Sequence, residues 1–289
     1  MTATTPSAPT FVKGHGTQND FIVLLDPDGV HGLSERQARA LCDRRQGLGA
    51  DGVLRAVPAE SGGWFMDYRN ADGSAAEMCG NGVRVFALVL RDAGLVASDA
   101  FPVQTRGGER FVRISEGQPG GAEVTVDMGA ATSIDTEATV TCGDRVWKAT
   151  PVWVPNPHAV AFADDLAHAG PLTSPPAVTP EQVFPDGVNV EFVVTRGEDR
   201  IAMRVHERGV GETRSCGTGA VAAAWAWRRR PDTPRSAATT ESKAHTVRVD
   251  VPGGTVLVTE HDDGHLDLRG PAVIVARGAI EEHWWKEHA

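Results

Sequence analysis

Two stretches of this chain are apolar around most of a helical circumference, and each opens on a cysteine followed by Gly-x-Gly. The first runs from Cys79-Gly80-Asn81-Gly82 through Val83, Val85, Phe86, Ala87, Leu88, Val89 and Leu90 to a stop at Gly94. The second runs from Cys216-Gly217-Thr218-Gly219 into the Ala-rich segment AVAAAWAW. A helix with no polar face has to be enclosed by other elements. Two such helices in 289 residues therefore ask for two enclosures, and that length suits two domains of ordinary size. The arrangement expected is a two-fold pseudo-repeat, each half wrapping sheet around one buried helix.

The material for that sheet is present on both sides of each helix. KGHGTQND reads as a glycine-containing loop beside the short buried strand FIVLLD, and Trp64 to Tyr68 reads as a strand leading to a turn at Asn70-Ala71-Asp72-Gly73. Ser34 is a candidate N-cap for an amphipathic helix over SERQARALCDRR, whose Ala38, Leu41 and Cys42 would face a core. AEVTVDM, VWVP, NPHAVAF, GVNVEFVV, RIAMRVHERG, VRVDVPGG, TVLVTE and LDLRGPAVIVARG read as strands, and PDTPRSAATTESK as a loop.

A formal net charge of −10 disfavours nucleic acid and anionic membranes as partners, because both reward an excess of Lys and Arg. The basic run Arg228-Arg229-Arg230 fits a helix C-terminus, where the macrodipole favours cations. The opening MTATTPSAPT lacks the basic and apolar regions of a signal peptide, and no apolar run approaches 18 residues. A cytoplasmic protein with a frayed N-terminal tail is expected. Cys42, Cys79, Cys142 and Cys216 form no C-x-x-C pair, which argues against a zinc knuckle, and in a reducing compartment they should be thiols.

A cysteine at the mouth of a helix has chemical consequences. The glycines allow close backbone approach, and the first-turn amides and the dipole favour an anion there, whether a substrate carboxylate or the thiolate itself. If the two halves face each other, two sulfurs flank one ligand. One thiolate could then remove an acidic hydrogen from carbon while the opposite thiol delivers a proton to the other face, the pair holding one proton between them. Helix-mouth N–H donors could stabilise the carbanion formed beside a carboxylate. His158 and Glu207 are candidates for tuning the thiols. No lysine is placed to suggest a Schiff base, and no Rossmann fingerprint occurs, so no cofactor and no metal are inferred.

The motifs also carry a resemblance. KGHGTQNDF, RRQGLGADG, YRNADGSAAEMCGNGVRVFA, PNPH, FPDGVNVEF, RVHERGVGETRSCGTG, VPGG and RGPAVIVARG occur in order over almost the whole chain and resemble the diaminopimelate epimerases of actinobacteria. The resemblance implies an α+β fold of two pseudo-symmetric domains, each a curled, mostly antiparallel sheet around a central helix. Residues 10–126 would form the half carrying Cys79 and 127–272 the half carrying Cys216, with 273–289 returning to the N-terminal half. It implies conversion of LL- to meso-2,6-diaminopimelate for lysine and peptidoglycan-precursor synthesis, without metal or pyridoxal phosphate, in a cleft between the domains. Cys79 and Cys216 match the proton donor and acceptor. Asn19, Asn70, Asn156 and Asn189 match substrate-binding asparagines, Glu207 and Arg208 an acidic-basic pair that contacts substrate, and Gly80-Asn81 and Gly217-Thr218 the amide cradles. His158 and Glu207 match positions that adjust the cysteine pKa values. Where many members have glutamine, this chain has Gly52, so a substrate contact from that side chain is not expected. Members are often homodimers, an assembly the resemblance leaves open. The neighbouring expectation is a proline- or hydroxyproline-type racemase with the same chemistry on a smaller substrate.

Overall fold

The computed structural model describes residues 8–117, 121–231, 233 and 244–289. The expected frayed tail up to residue 7, and most of the expected loop over PDTPRSAATTESK, lie outside the described residues. The chain divides into two compact units, one formed by 1–126 with 271–289 and the other by 127–270. Strand Gly121–Ala130 carries the chain out of the first unit, and the long strand His265–Ala279 carries it back.

In the first unit Thr10–Gly16 and Asn19–Leu25 form an antiparallel hairpin, and Asn19–Leu25 lies parallel to Gly52–Pro58. The order continues with Trp64–Asn70 antiparallel, Ala100–Thr105 parallel, then Gly108–Glu116 and Gly121–Ala130 antiparallel. In the second unit Arg145–Trp153 and Pro157–Phe162 are antiparallel, and Asn189–Gly197 is parallel to Pro157–Phe162. Arg200–Glu207 follows antiparallel, His245–Val251 parallel, then Gly254–Glu260 and His265–Ala279 antiparallel. The same succession of pairings occurs twice, so the short likeness between the cysteine motifs belongs to a repeat of topology. The parallel steps are the long crossovers, as they must be, since a tight hairpin cannot join parallel strands.

Helix α1, Glu35–Cys42, fills the first crossover of unit one, and α2, Gly80–Asp92, the second; α3, Gly217–Arg228, occupies the place in unit two that α2 has in unit one. Every residue of α2 from Gly80 to Leu90 is buried, as is every residue of α3 from Gly217 to Ala224. Burial of side chains such as Phe86, Val89 and Leu90 contributes roughly 1.5–3 kcal/mol each, which explains why the sheet closes on this segment. Helix α2 stops where expected, with Gly94 at φ 69° and its amide donating to the Arg91 carbonyl. The basic run also lies where expected: α3 ends at Arg228, and Arg228 and Arg229 both pair with Glu260. Among the described residues no helix is long and apolar enough to cross a membrane.

Two local expectations change. KGHG belongs to a strand and not to a loop, because Thr17 and Gln18, at φ 49° and 62°, form a two-residue turn that pairs Gly16 with Asn19. The glycines conceal the strand because α2 lies against them. A side chain at Gly14 would begin 2.9 Å from Val85 Cγ1, and one at Gly16 would begin 3.1 Å from the Asn81 carbonyl oxygen. Helix α1 carries the expected Ser34 cap, in a full capping box with Gln37, but ends at Cys42. There the Asp43 carboxylate accepts from the amides of Arg45 and Gln46 and turns the chain out of the helix.

Cys42 packs among Ile22, Leu24, Ala38, Leu41 and Trp285, the last from helix α4, Glu282–Glu287. Burial pushes its thiol up to about 12. A folded-state value above the unfolded one means that the associated stability is complete below the unfolded value and is lost as pH rises towards 12. Stability in urea should therefore fall with a slope approaching about 1.4 kcal/mol per pH unit from this group. Cys42→Ala should flatten that dependence above pH 9; parallel pH profiles for the two proteins would contradict this.

Candidate active site

The first cysteine is held by the hairpin. Cys79 is the N-cap of α2, half-buried, with extended backbone and no side-chain hydrogen bond to its own helix. The Thr17-Gln18 turn places Asn19 beside it, the sulfur lying 3.7 Å from Asn19 Oδ1. Asn81, fully buried in the first turn of α2, donates to the same oxygen at 3.2 Å. Asn19 is steadied from behind by donating to Asp51 at 2.8 Å. Arg44 bridges Asp51 to Asp20, and Lys13 adds a second cation to Asp20. Burial opposes the charge on Asp20, but hydrogen bonds from Arg44 and Lys13 outweigh it and bring the carboxyl to about 2. Asn70 ends its strand with its amide donating to Ser74 Oγ at 3.0 Å, in the turn that feeds α2. The structure thus brings Asn19 and Asn81 together with Cys79 and gives Asn70 a partner of its own. Gly52 pairs with Asn70 across the sheet, and a side chain there would begin 2.7 Å from the Tyr68 ring and 2.8 Å from the Arg69 carbonyl oxygen.

Alternation along strands builds the second cysteine's surroundings. In Asn189–Gly197, Val190 and Phe192 point into a core with Val140, Ala159 and Ala161, which turns Asn189 and Glu191 to the face that carries α3. His158 reaches the same face from the parallel neighbour, where it is in register with Asn189. Its Nδ1 lies 2.6 Å from Glu191 Oε1 and its Nε2 lies 3.1 Å from Asn156 Oδ1, so both ring nitrogens are engaged. Glu207, at the end of Arg200–Glu207, accepts from Thr213 and from the Cys216 thiol. Asn189 accepts the Arg208 amide at 2.8 Å, and the Arg208 guanidinium donates to the Asp186 carbonyl at 2.9 Å.

Cys216 differs from Cys79 in being buried and in capping its helix, its sulfur accepting from the Gly219 amide at 3.3 Å with Thr218 Oγ1 at 3.4 Å. Burial pushes the Cys216 thiol up, and the carboxylates of Glu207 and Glu191 push it further, against the Thr218 and Gly219 hydrogen bonds. Burial also raises the Glu207 carboxyl, against the hydrogen bonds from Thr213 and Cys216. Cys216 is therefore set to hold a proton and to give it up only to a strong proton acceptor. The half-buried Cys79 sits at the positive end of a helix. The two thiols are of the same type in unlike fields.

Three residues escaped the sequence reading. Glu191 and Arg84 are each fully buried, and each interrupts an otherwise apolar pattern, VNVEFVV in one case and GVRVFALVL in the other. Such an interruption is a usable signal, because a charge in an apolar face needs a reason. Thr17 carried no signal, since its part depends on a left-handed backbone in a turn. Glycine spacing yields a testable contrast. A side chain at Gly219 would begin 2.7 Å from Glu191 Oε1 and 3.3 Å from the Cys216 sulfur, whereas at Gly82 the nearest atoms stand at 3.4 Å or more. Gly219→Ala should lower turnover roughly tenfold or more by displacing groups around a thiol, and Gly82→Ala should cost clearly less. Steady-state rates on the two purified variants decide it, and equal losses would contradict the packing argument.

The profile of the family described as diaminopimelate epimerase matches residues 11–134 and 152–278. The diaminopimelate epimerase of Streptomyces coelicolor is 51% identical over 95% of this chain and 96% of its own length, and that of Mycolicibacterium smegmatis 46% identical over 95% and 98%. Among solved structures, a hydroxyproline epimerase from Agrobacterium vitis matches with a TM-score of 0.66 at 14% identity, over 95% of this chain and 92% of that one. A PhzF-family phenazine biosynthesis protein from Bacillus anthracis matches at 0.67 with 16% identity, over 95% and 99%. These two likenesses concern the fold alone.

Proposed function

This chain belongs to the diaminopimelate epimerase family, an isomerase family, and from that membership we propose that it interconverts LL- and meso-2,6-diaminopimelate by a cofactor-independent, two-base proton transfer between Cys79 and Cys216. The reaction serves lysine and peptidoglycan-precursor synthesis. The observation that carries the mechanism is the recurrence, once per unit, of a cysteine at the mouth of a buried helix, Cys79 beside the asparagine Asn19 and Cys216 beside the carboxylate of Glu207. One sulfur, as thiolate, takes the α-proton; the other, as thiol, supplies a proton to the opposite face, so that each turnover leaves the proton on the other cysteine. Amides of the first turns of α2 and α3 donate to the α-carboxylate as its negative charge grows.

The remaining matched residues recognise a substrate with two ammonium and two carboxylate groups. Asn19, Asn81, Gly80, Gly217 and Thr218 serve the reacting end, while Asn70, Asn156, Asn189, Glu207 and Arg208 supply the acceptors, charge and fork that fix the rest. His158 tunes and orients with Glu191, and Glu207 tunes Cys216 as well as meeting substrate.

The test is incorporation of solvent deuterium at the α-carbon of LL-diaminopimelate by purified, reduced protein, with the stereochemistry of the product resolved. Deuterium in meso product is expected. Turnover of proline or hydroxyproline with none of diaminopimelate would replace this reading with the smaller-substrate one. Oxidation of the thiols should abolish activity and a reductant restore it; full activity under oxidant would exclude a thiol base.

A further inference from the structure

Helix α2 carries a cation in its buried interior. Arg84 is fully buried, and its side chain turns back towards the helix N-terminus, as long side chains on helices do. Its Nη2 donates to Thr17 Oγ1 at 3.0 Å and its Nε to the Pro271 carbonyl at 3.4 Å, while Nη1 finds no partner among the described residues. Neither contact neutralises the charge. Burial pulls the guanidinium down to about 10, so it is still a cation at neutral pH. A buried cation without a carboxylate in contact is costly to keep, and an anion that forms beside it offsets that cost.

The geometry leads from this cation to Cys79. Thr17 Oγ1 stands 3.5 Å from Asn81 Oδ1, Asn81 donates to Asn19 Oδ1 at 3.2 Å, and the Cys79 sulfur lies 3.7 Å from that same oxygen. A side chain at Gly16 would begin 3.0 Å from Arg84 Nη2 and 3.1 Å from the Asn81 carbonyl oxygen, so guanidinium and first turn share one small space that glycine keeps open. Of the groups whose negative charge bears on Arg84, Cys79 is foremost and Glu123 second. Other charged or titratable groups at this end of the helix are His15, which accepts the Gln18 amide, the exposed Glu77 two residues ahead of Cys79, and the Asp51, Asp20, Arg44 and Lys13 cluster behind Asn19.

We propose that Arg84 is a positioning residue for Cys79: through Thr17, Asn81 and Asn19 it fixes the sulfur, and by its buried charge it favours the thiolate. The proposal rests on the reading of Cys79 as one of the two bases. When the proton is on Cys79, the S–H donates to Asn19; when it leaves, the sulfur's charge is met by the α2 amides and by a guanidinium already in place. Cys216 has carboxylates where Cys79 has this cation, so in the free protein the single shared proton rests on Cys216 and Cys79 is the base at rest.

The experiment is the pH dependence of iodoacetamide alkylation of the substrate-free protein, with each cysteine followed by peptide mass spectrometry. Arg84→Gln keeps a donor for Thr17 and removes the charge; it should raise the pH of half-maximal Cys79 alkylation by about one unit, leave the Cys216 profile in place and lower kcat more than it raises KM. Arg84→Lys should recover part of the shift. A folded Arg84→Gln with the wild-type Cys79 profile overturns the proposal. If Arg84→Gln does not fold, Thr17→Val decides, since it severs the hydrogen-bonded path and retains the cation: a fall in kcat with an unmoved Cys79 profile supports the proposal, and unchanged kcat overturns it. Alkylation needs no turnover, so a wild-type protein that ignores diaminopimelate while Arg84→Gln still shifts Cys79 would indict the substrate reading and not this one.

Discussion

Cys79→Ala and Cys216→Ala should each lose epimerisation by on the order of a thousandfold or more, since in the proposed scheme each removes one of the two groups that move protons. Neither substitution should unfold the protein. The Cys79 side chain makes no capping bond to its own helix, and Cys216 loses a weak cap from the Gly219 amide and a thiol hydrogen bond to Glu207, together worth about 1–2 kcal/mol. The two variants should differ in what they retain. With Cys216 gone, Cys79 can still remove a proton and return it to the same face, so solvent exchange should persist for one stereoisomer only; with Cys79 gone it should persist, if at all, for the other. Nuclear magnetic resonance of substrate in deuterated buffer reads exchange and inversion separately. Inversion within tenfold of wild type in either variant would rule out the two-base scheme.

Glu207→Gln should be the next most damaging change, with turnover down on the order of a hundredfold. Glu207 is half-buried, accepts from Thr213 and from Cys216, and its charge is, after the burial of Cys216, the largest influence that keeps the Cys216 proton in place. Glutamine preserves the volume and a hydrogen bond to Thr213 but removes the charge. The sign follows directly: a carboxylate beside a thiol raises the thiol's pKa, so its loss lowers it. Cys216 alkylation in Glu207→Gln should therefore begin at lower pH than in wild type, while Cys79 alkylation should not move. Because Glu207 is also matched to a substrate contact, KM should rise too, and the substrate-free alkylation separates the two roles. An unchanged Cys216 profile would leave only the substrate contact standing.

Much of this protein is legible in its sequence. Apolar runs after Cys79 and Cys216 required enclosure, and α2 and α3 are enclosed. Ser34 announced the start of α1, and Gly94 the end of α2. The motifs resemble those of the family, and that resemblance implied its α+β fold of repeated halves. Residues whose chemistry is written in their type, such as Cys79, Cys216, His158 and Glu207, could be named as candidates without knowing where they would lie.

What the sequence could not decide was environment. Glycines in KGHG read as a loop, since glycine disfavours strands on average, yet here they form a strand that α2 approaches too closely for any side chain. Arg84 and Glu191 went unremarked in apolar stretches, and only the folded chain shows one of them beside the groups that hold Cys79 and the other clamped to His158 next to Cys216. The physical reason is the same in each case. Local sequence sets which conformations and protons a residue can offer, but a thiol's field, a carboxylate's burial and the room left for a glycine are sums over neighbours brought from distant parts of the chain. The sequence by itself determined the repeat, the buried helices and which residues are candidates for the reactive groups. Tertiary structure alone decided that two cysteines in like motifs stand in unlike surroundings, one near a buried guanidinium and one among carboxylates.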